Sequence, residues 1–187
     1  MGIEENIRES AYRLFAERGF SCPTSAITKD AGVSQGILFH YFGTKDELIA
    51  DLYAEAVEGY YAEAATAFAS GVEDPDGFVK TLKRSWLRQV DWCLDHWVEF
   101  SYMRMFEESE RAAAGVVPEK VGRFLDEQIE RGRSLGAVRS FDDAYLVEVG
   151  NAVTAATVRH LHAHPEKRGD EGFMEQAWRI YWQPKEC

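Results

Sequence analysis

Hydrophobic positions recur at helical spacing along the whole chain. Near the N-terminus, Ile7, Ala11, Leu14 and Phe15 form one apolar stripe with polar residues between them. Apolar residues at intervals of three and four predict amphipathic helices, whereas a half-buried strand shows strict alternation, of which the chain has no convincing example. The pattern predicts an all-α protein of about nine helices, with approximate ranges 4–18, 24–31, 35–41, 45–70, 75–95, 98–111, 118–134, 142–164 and 172–182.

Polar and glycine residues mark the ends of the helices in the first part of the chain. Gly32 suits the left-handed residue that closes a helix, and Ser34 suits the N-cap of the next helix. Thr44 and Glu47 have the spacing of a capping box at the start of the fourth helix. These residues predict a helix, a glycine-containing turn, a short helix and then a long helix.

The short third helix is expected to have an inner and an outer face. Leu38 and Phe42 are four residues apart and should point inward together. The outer face then consists of Gln35, Gly36, Ile37, Phe39, His40 and Tyr41. An amide, an imidazole and aromatic edges on one small helix suit the major groove of DNA, although an ordinary surface helix of a bundle accounts for the same pattern.

A helix, a glycine-containing turn and a second helix make the helix-turn-helix pattern. At this point the chain resembles the TetR family of one-component transcriptional regulators, over roughly its first quarter. The most specific matches are Ala31-Gly32-Val33-Ser34, Gly36, Tyr41-Phe42 and Lys45-Asp46-Glu47-Leu48. The resemblance implies an N-terminal helix-turn-helix DNA-binding domain at 1–48 and a C-terminal ligand-binding and dimerisation domain at 49–187.

The resemblance also implies roles for single residues at the motif positions. The side chains expected to face bases are those of Gln35, Gly36, Ile37 and His40. The residues expected to hold phosphates are Thr24, Ser25, Tyr41 and Lys45. The chain departs from the family at two positions on these helices. Phe39 stands where the family often has Tyr, which removes one hydroxyl available to phosphate, and Thr28 replaces a common Ala.

The charge balance limits how the protein can bind DNA. The chain has 21 Lys and Arg against 32 Asp and Glu, a net charge of −11, and residues 1–53 alone hold five basic and eight acidic residues. Such an acidic total argues against non-specific coating of nucleic acid. A site-specific reader needs only a local positive face, to which helix N-termini contribute.

The sequence also indicates where the protein is found. No apolar run approaches the length of a membrane span, and the acidic N-terminus lacks the apolar segment of a signal peptide. Cys22, Cys93 and Cys187 are few, odd in number and widely spaced, which favours a reducing compartment over a disulfide framework. We therefore expect a cytoplasmic protein without a membrane partner.

Aromatic and Met residues are dense on the fifth and sixth predicted helices. Core packing accounts for most of them, and the alternative is a cavity for a flat, apolar ligand with an adaptable wall. If the cavity exists, we expect it to be lined by some of Trp86, Val90, Cys93, Trp97, Phe100, Met103, Phe106 and Phe124. The scarcity of acidic groups on this predicted inner face favours a neutral or weakly anionic ligand.

The last two helices carry the residues expected at a homodimer interface, which the family resemblance implies. Small side chains on the eighth helix allow close approach of a symmetry mate, and aromatic side chains on the ninth would be buried at or beside it. The predicted interface residues are Val149, Ala152, Val153, Ala156, Trp178, Tyr181 and Trp182.

Catalytic and metal sites have weak support in the sequence. His160 and His164 are four residues apart and could share an ion, but no further ligand cluster is near, and imidazoles are common at helix C-termini. Cys93 with His96 is the only candidate pair of nucleophile and base, and it lacks an orienting third group. Glu-x-x-His, Gly-x-Ser-x-Gly and phosphate-loop motifs are absent. We expect no enzyme activity, metal or cofactor.

The sequence thus predicts a ligand-responsive transcriptional repressor. It would bind a palindromic DNA operator as a homodimer and be released by a small, largely apolar ligand. The alternative is an all-α enzyme, or an adaptor that does not bind DNA and keeps the helix-turn-helix only as structure. The acidic first domain is the best support for this alternative.

Overall fold

The computed structural model describes residues 2–114, 117–138 and 142–182. These residues form helices joined by short turns, and no strand occurs among them, which confirms the all-α class. The helices are α1 (Ile3–Arg18), α2 (Thr24–Ala31), α3 (Gln35–Phe42), α4 (Lys45–Phe68), α5 (Pro75–Asp95), α6 (Trp97–Glu107), α7 (Glu119–Ser134), α8 (Asp143–Ala163) and α9 (Glu171–Tyr181). Short 3₁₀ turns occupy Glu110–Ala114 and Pro165–Lys167.

The predicted caps hold the helix ends of the first domain. The backbone N–H of Ile37 donates to Ser34 Oγ at 3.3 Å, and the N–H of Glu47 donates to Thr44 Oγ1 at 3.1 Å. Gly32 has φ 68° and ψ 30°, a left-handed conformation that costs glycine little because it has no Cβ. These residues therefore set where the helices of the turn begin and end.

The sixth helix is shorter than its sequence pattern predicts. α6 ends at Glu107, and a 3₁₀ turn begins at Glu110. The Ser109 hydroxyl donates to the Phe106 carbonyl at 2.6 Å, and the Ser109 N–H donates to the same carbonyl at 3.0 Å. A serine that bonds to the preceding turn offers the backbone an alternative to the α-helical bond, so the helix tightens and ends there.

The chain forms two compact units, and each one collects separate parts of the sequence. The first, called the N-terminal unit, consists of Met1–Gly59 and His96–Pro118. The second, called the C-terminal unit, consists of Tyr60–Asp95 and Glu119–Cys187. α4 runs without interruption through the division at Gly59, and α6 belongs to the N-terminal unit. The domain boundary at 48/49 stays a prediction.

The core of the N-terminal unit joins α1, α4 and α6. The Tyr12 hydroxyl donates to the Leu52 carbonyl at 2.5 Å, and the Tyr102 hydroxyl donates to the Ile49 carbonyl at 2.7 Å. The Tyr12 and Tyr102 rings meet edge to face, with centroids 5.1 Å apart. Burial raises the pKa of both phenols, so they stay protonated and keep donating at physiological pH.

The core of the C-terminal unit is built around Trp86 on α5. Its ring is fully buried and lies 5.8 Å from the ring of Trp178 and 5.5 Å from that of Tyr181. Its indole N–H donates to Thr154 Oγ1 on α8 at 3.1 Å. One tryptophan therefore joins α5, α8 and α9. No helix in the described parts of the chain is long and apolar enough to cross a membrane.

Candidate nucleic-acid interface and ligand cavity

α3 has the two faces that its sequence predicts. Leu38 is 0% exposed and Phe42 is 6% exposed, so both are held in the core of the N-terminal unit, as expected. The outer face is exposed at every position, namely Gln35, Gly36, Ile37, Phe39, His40 and Tyr41. Ile37, Phe39 and Tyr41 are large apolar side chains that remain between a third and a half exposed. A short helix with this many exposed non-charged groups has the character of a contact surface.

Gly36 lies in the middle of this outer face without an internal reason to be glycine. A Cβ added there would meet only Ser34 Oγ, at 3.8 Å, which is ordinary contact distance. Glycine in a helix is destabilising by about 0.5–1 kcal/mol relative to alanine. Nothing within the described part of the protein therefore requires glycine at this position, and its lack of a side chain leaves the α3 backbone open to close approach from outside.

The N-terminus of α2 offers backbone donors beside α3. Pro23 is the N-cap, and it supplies no side-chain hydrogen bond to the first turn. The free N–H groups and the helix dipole at such a terminus favour a phosphate. Ser25 is exposed and Thr24 half-buried at this end, as a phosphate contact requires.

Lys45 is partly committed inside the N-terminal unit. Its ammonium donates to the Phe20 carbonyl at 2.6 Å and lies 5.9 Å from the centroid of the Phe15 ring. Lysine has three donors, so this bond fixes the position of the ammonium and leaves donors for a phosphate. The predicted phosphate contact at Lys45 remains a prediction.

Two arginines of α1 are held by carboxylates. Arg8 pairs with Glu4, Asp51 and Glu55, and Arg13 pairs with Asp30. The hydrogen bond from Arg13 holds the pKa of the Asp30 carboxyl below its usual range. These two guanidinium groups therefore contribute little free positive charge to a DNA-binding face.

One basic side chain of α2 was missed by the sequence reasoning. Lys29, in the last turn of the helix, is exposed and makes no ion pair with the part of the chain that is described. A lysine left free on the helix that precedes α3 suits the local positive face of a site-specific reader. The available signal in the sequence was a lysine near the end of the helix that precedes α3.

Comparison with known proteins identifies this helix-turn-helix. Residues 7–52 match the family model of the bacterial regulatory proteins, tetR family. The helix-turn-helix domain belongs to the TetR family. The match includes every residue expected to contact DNA, from Thr24 to Lys45.

Solved structures extend the TetR-type fold over nearly the whole chain. A protein of Shewanella sp. PV-4 assigned to the tetR family of transcription regulators has a TM-score of 0.84 at 21% identity, with 97% of each chain covered. The TetR-family regulator PfmR from Thermus thermophilus has a TM-score of 0.68 at 22% identity, covering 97% of this chain and 99% of that one. The fatty acid degradation regulator FadR from Bacillus halodurans has a TM-score of 0.74 at 14% identity, covering 100% and 98%. These likenesses show the fold.

The C-terminal unit of this TetR-type fold contains a cavity of about 460 Å³. Its size lies within the range of small-molecule sites. α4, α5, α7, α8 and α9 all contribute to its wall. The wall is largely apolar, with aromatic rings from three helices and a branched aliphatic side chain at Phe68, Phe78, Phe124 and Ile129.

The residues predicted to line a ligand cavity are divided among three places. Phe124 lines the observed cavity. Three others lie fully buried in the core of the same unit and do not line it, namely Trp86, Val90 and Cys93. The remaining four belong to the N-terminal unit, namely Trp97, Phe100, Met103 and Phe106.

The α6 side chains pack in the N-terminal unit because the chain bends at His96. His96 has φ −117° and ψ 53°, outside the helical region, and it separates α5 from α6. Phe106 then stacks on Tyr53 with centroids 4.0 Å apart, and its ring lies 6.2 Å from that of Phe20. These rings fill a core rather than line a space.

The predicted dimer residues include an exposed stripe on α8. Val149, Ala152 and Ala156 are exposed on one side of the helix, and Val153 is half-buried. Trp178 is buried against Trp86, whereas Val149, Tyr181 and Trp182 line the cavity.

Two apolar residues beside the cavity were missed by the sequence reasoning. Ile180 is 65% exposed and Tyr145 is 52% exposed, and both line the cavity. Large apolar side chains that remain this exposed on one wall are candidates for contact with a partner. The apolar stripe of α8 therefore begins at the cavity rim.

The histidines of α8 have ordinary contacts in the structure. His160 stacks on Phe173 with centroids 5.0 Å apart, and Lys167 Nζ lies 3.2 Å from His160 Nε2. Partial burial, together with the Lys167 charge, lowers the pKa of His160. No cluster of His, Cys, Asp and Glu side chains that could hold a metal occurs in the described ranges.

Proposed function

We propose that this protein is a ligand-responsive transcriptional repressor of the TetR family that acts in the cytoplasm as a homodimer. The observation that carries the proposal is the outer face of α3. Within a TetR-family domain, two buried anchors hold this helix while its polar and aromatic side chains stay exposed. That arrangement suits insertion into the major groove, where an amide can read a base directly and backbone N–H groups of α2 can bind phosphate.

A homodimer is supported by the exposed apolar stripe on α8. Val149, Ala152 and Ala156 would pack against the same residues of a second copy, since a two-fold interface is self-complementary. Two-fold symmetry would place two recognition helices about 34–36 Å apart, the spacing of successive major grooves on one face of DNA. A palindromic operator follows from the same symmetry.

The ligand is supported by the cavity of the C-terminal unit. Its aromatic and aliphatic walls suit a small, largely apolar molecule. A ligand weakens DNA binding only to the extent that it binds more tightly to the protein conformation that does not bind DNA. A tenfold to hundredfold weakening of operator binding requires about 1.4–2.8 kcal/mol of such preference.

A gel shift with the DNA that flanks the protein's own gene tests the proposal. Specific retardation that survives excess competitor DNA, and its reversal by a member of an apolar ligand panel, is the expected result. The absence of specific retardation at any salt concentration would favour the alternative, an all-α enzyme or adaptor. The acidic N-terminal unit, in which Arg8 and Arg13 are already paired, is the observation behind that alternative.

Two substitutions separate phosphate binding from base recognition. Lys45→Ala should weaken binding to all DNA sequences alike and reduce the slope of log affinity against log salt by about 0.9, because one phosphate contact is lost. Gln35→Ala should instead relax the preference at one base pair by about 1–3 kcal/mol. Titrations at several salt concentrations, on the operator and on scrambled DNA, measure both effects.

Lys80→Ala provides the control for these titrations, since Lys80 is exposed on α5 and should change neither quantity. The Lys45 ammonium also bonds to the Phe20 carbonyl, so the thermal midpoint of each variant is compared with that of the parent protein. A Lys45→Ala protein with altered sequence preference and an unchanged salt slope would show that the two roles are assigned wrongly.

A further inference from the structure

The apolar cavity wall has two buried polar side chains one helical turn apart. Ser85 and Gln89 both lie on α5, and both line the cavity. Ser85 is 2% exposed and Gln89 is 6% exposed. Positions four apart on a helix share one face, so the hydroxyl and the amide are neighbours.

Neither of these side chains makes a hydrogen bond with the described parts of the protein, and their polar atoms are open to the cavity and not sealed from it. Of the other polar groups nearby, Thr154 accepts from the Trp86 indole, and Asn151 Nδ2 donates to the Tyr61 hydroxyl at 3.2 Å. Gln128 on α7 and Tyr181 on α9 are further polar side chains of the wall, and both are less buried than Ser85 and Gln89. Buried polar groups in folded proteins are nearly always hydrogen-bonded, and leaving one unpaired is costly. The unused donors and acceptors of Ser85 and Gln89 therefore point to a partner inside the cavity.

The rest of the cavity wall favours a partner without charge. None of the described residues that line the cavity is Asp, Glu, Lys, Arg or His. A charged group placed there would lose its water without gaining an opposite charge. A serine hydroxyl and a glutamine amide can each donate and accept, which matches an uncharged group that does both.

We infer that Ser85 and Gln89 bind the uncharged oxygen-bearing head group, a carbonyl or hydroxyl, of a ligand whose apolar body lies against Phe68, Phe78 and Phe124. The inference rests on the proposed function, since it names the chemical class of the ligand for the same cavity. It assigns specificity to α5, because the aromatic walls contact any apolar body alike, whereas Ser85 and Gln89 are the most deeply buried polar side chains of the described wall.

Four probes with one apolar body and different heads test the inference. They are 2-naphthamide, 2-methylnaphthalene, 2-naphthoate and 2-naphthylmethylammonium, and their dissociation constants are measured by equilibrium dialysis against the intact protein. The amide should bind about tenfold more tightly than the methyl compound, as expected for one to two net hydrogen bonds. The anion and the cation should bind more weakly than the amide, because the cavity offers no counter-charge.

Two variants test whether Ser85 and Gln89 cause the preference for the amide over the methyl compound. Gln89→Met keeps the length of the side chain and removes its hydrogen bonds, and Ser85→Ala removes one hydroxyl. Both should lower the affinity for 2-naphthamide several-fold and leave that for 2-methylnaphthalene unchanged. Lys80→Met, at an exposed position of the same helix, is the control and should alter neither affinity.

The outcomes distinguish this inference from the proposed function. Equal binding of the amide and the methyl compound, or an amide preference that persists in both variants, overturns the inference and leaves an apolar ligand site in place. Tightest binding of either charged probe overturns it as well. If none of the four probes binds, the ligand-binding part of the proposed function fails together with the inference. Should Gln89→Met not fold, Ser85→Ala still decides between these results.

Discussion

Replacing Ala156 with Arg is expected to convert the protein to a monomer and to remove its tight binding to a palindromic operator. Ala156 is exposed on α8 in the same stripe as Val149 and Ala152. In a homodimer, the substitution would bury two unpaired guanidinium groups against the same groups of the partner. An uncompensated buried charge costs about 3–5 kcal/mol, which weakens association by a factor of roughly a hundred to several thousand.

Sedimentation and gel shifts measure the two effects on the same preparation. Ala156→Arg should sediment as a monomer, keep its helical content and bind a half-site as weakly as a full operator. Ala65→Arg is the matched control, because Ala65 is an exposed alanine on α4, a different helix from this stripe. A dimer of unchanged affinity in the Ala156→Arg protein would place the interface on another surface.

The proposed dimer surface and the cavity share part of one helix. Val149 and Tyr145 on α8, with Ile180 on α9, are exposed apolar residues that also line the cavity. We therefore expect a partner that covers the stripe to narrow the rim of the cavity too. Ligand affinity should then depend on protein concentration across the range where the dimer forms.

The helices were predictable from the sequence because the signals that start and stop them are local. Ser34, Thr44 and Asp74 each accept a hydrogen bond from a backbone N–H three residues later, as capping residues do. The outer face of α3 was predictable for a similar reason. One short helix with two buried anchors, Leu38 and Phe42, leaves no choice about which side chains point outward.

The cavity was harder to predict because it is a property of packing between helices. Helical periodicity shows that a residue such as Trp86 or Phe106 faces inward. It does not show whether other atoms fill the space that the side chain faces. Trp86 contacts two rings and a threonine, so it is part of a filled core. The actual walls come from five helices, and their α7 and α8 residues are spread among polar ones. The density of aromatic residues therefore identified the cores of the two units. Of the eight residues predicted to line a ligand cavity, Phe124 alone lies in the wall of this one.

Gly132 on α7 packs closely against two side chains of the cavity wall. A Cβ added there would come within 2.7 Å of Phe78 Cζ and closer still to Val138 Cγ2. Phe78 and Val138 both line the cavity, so a larger residue at 132 must move the wall. The cavity itself is the empty space into which these two side chains can move.

Gly132→Val is therefore expected to destabilise the protein by about 3 kcal/mol, as overpacked cores do, and to reduce the volume available to a ligand. Chemical denaturation measures the first effect, and dialysis with 2-naphthamide measures the second, with an expected loss of at least tenfold in affinity. Operator binding without ligand should persist in the folded fraction, because residues 24–45 belong to the other unit. The variant should thus bind DNA and respond poorly to ligand.

Gly122→Val on the same helix is the matched control. A Cβ at position 122 meets no heavy atom within 4 Å, so valine there should change stability by less than about 0.5 kcal/mol, the difference in helix propensity between the two residues. Ligand affinity should match that of the parent protein. If both glycine variants lost stability equally, the loss would come from valine in the helix and not from the wall. If Gly132→Val kept full ligand affinity, the ligand would bind elsewhere, since this substitution cannot leave Phe78 and Val138 where they are.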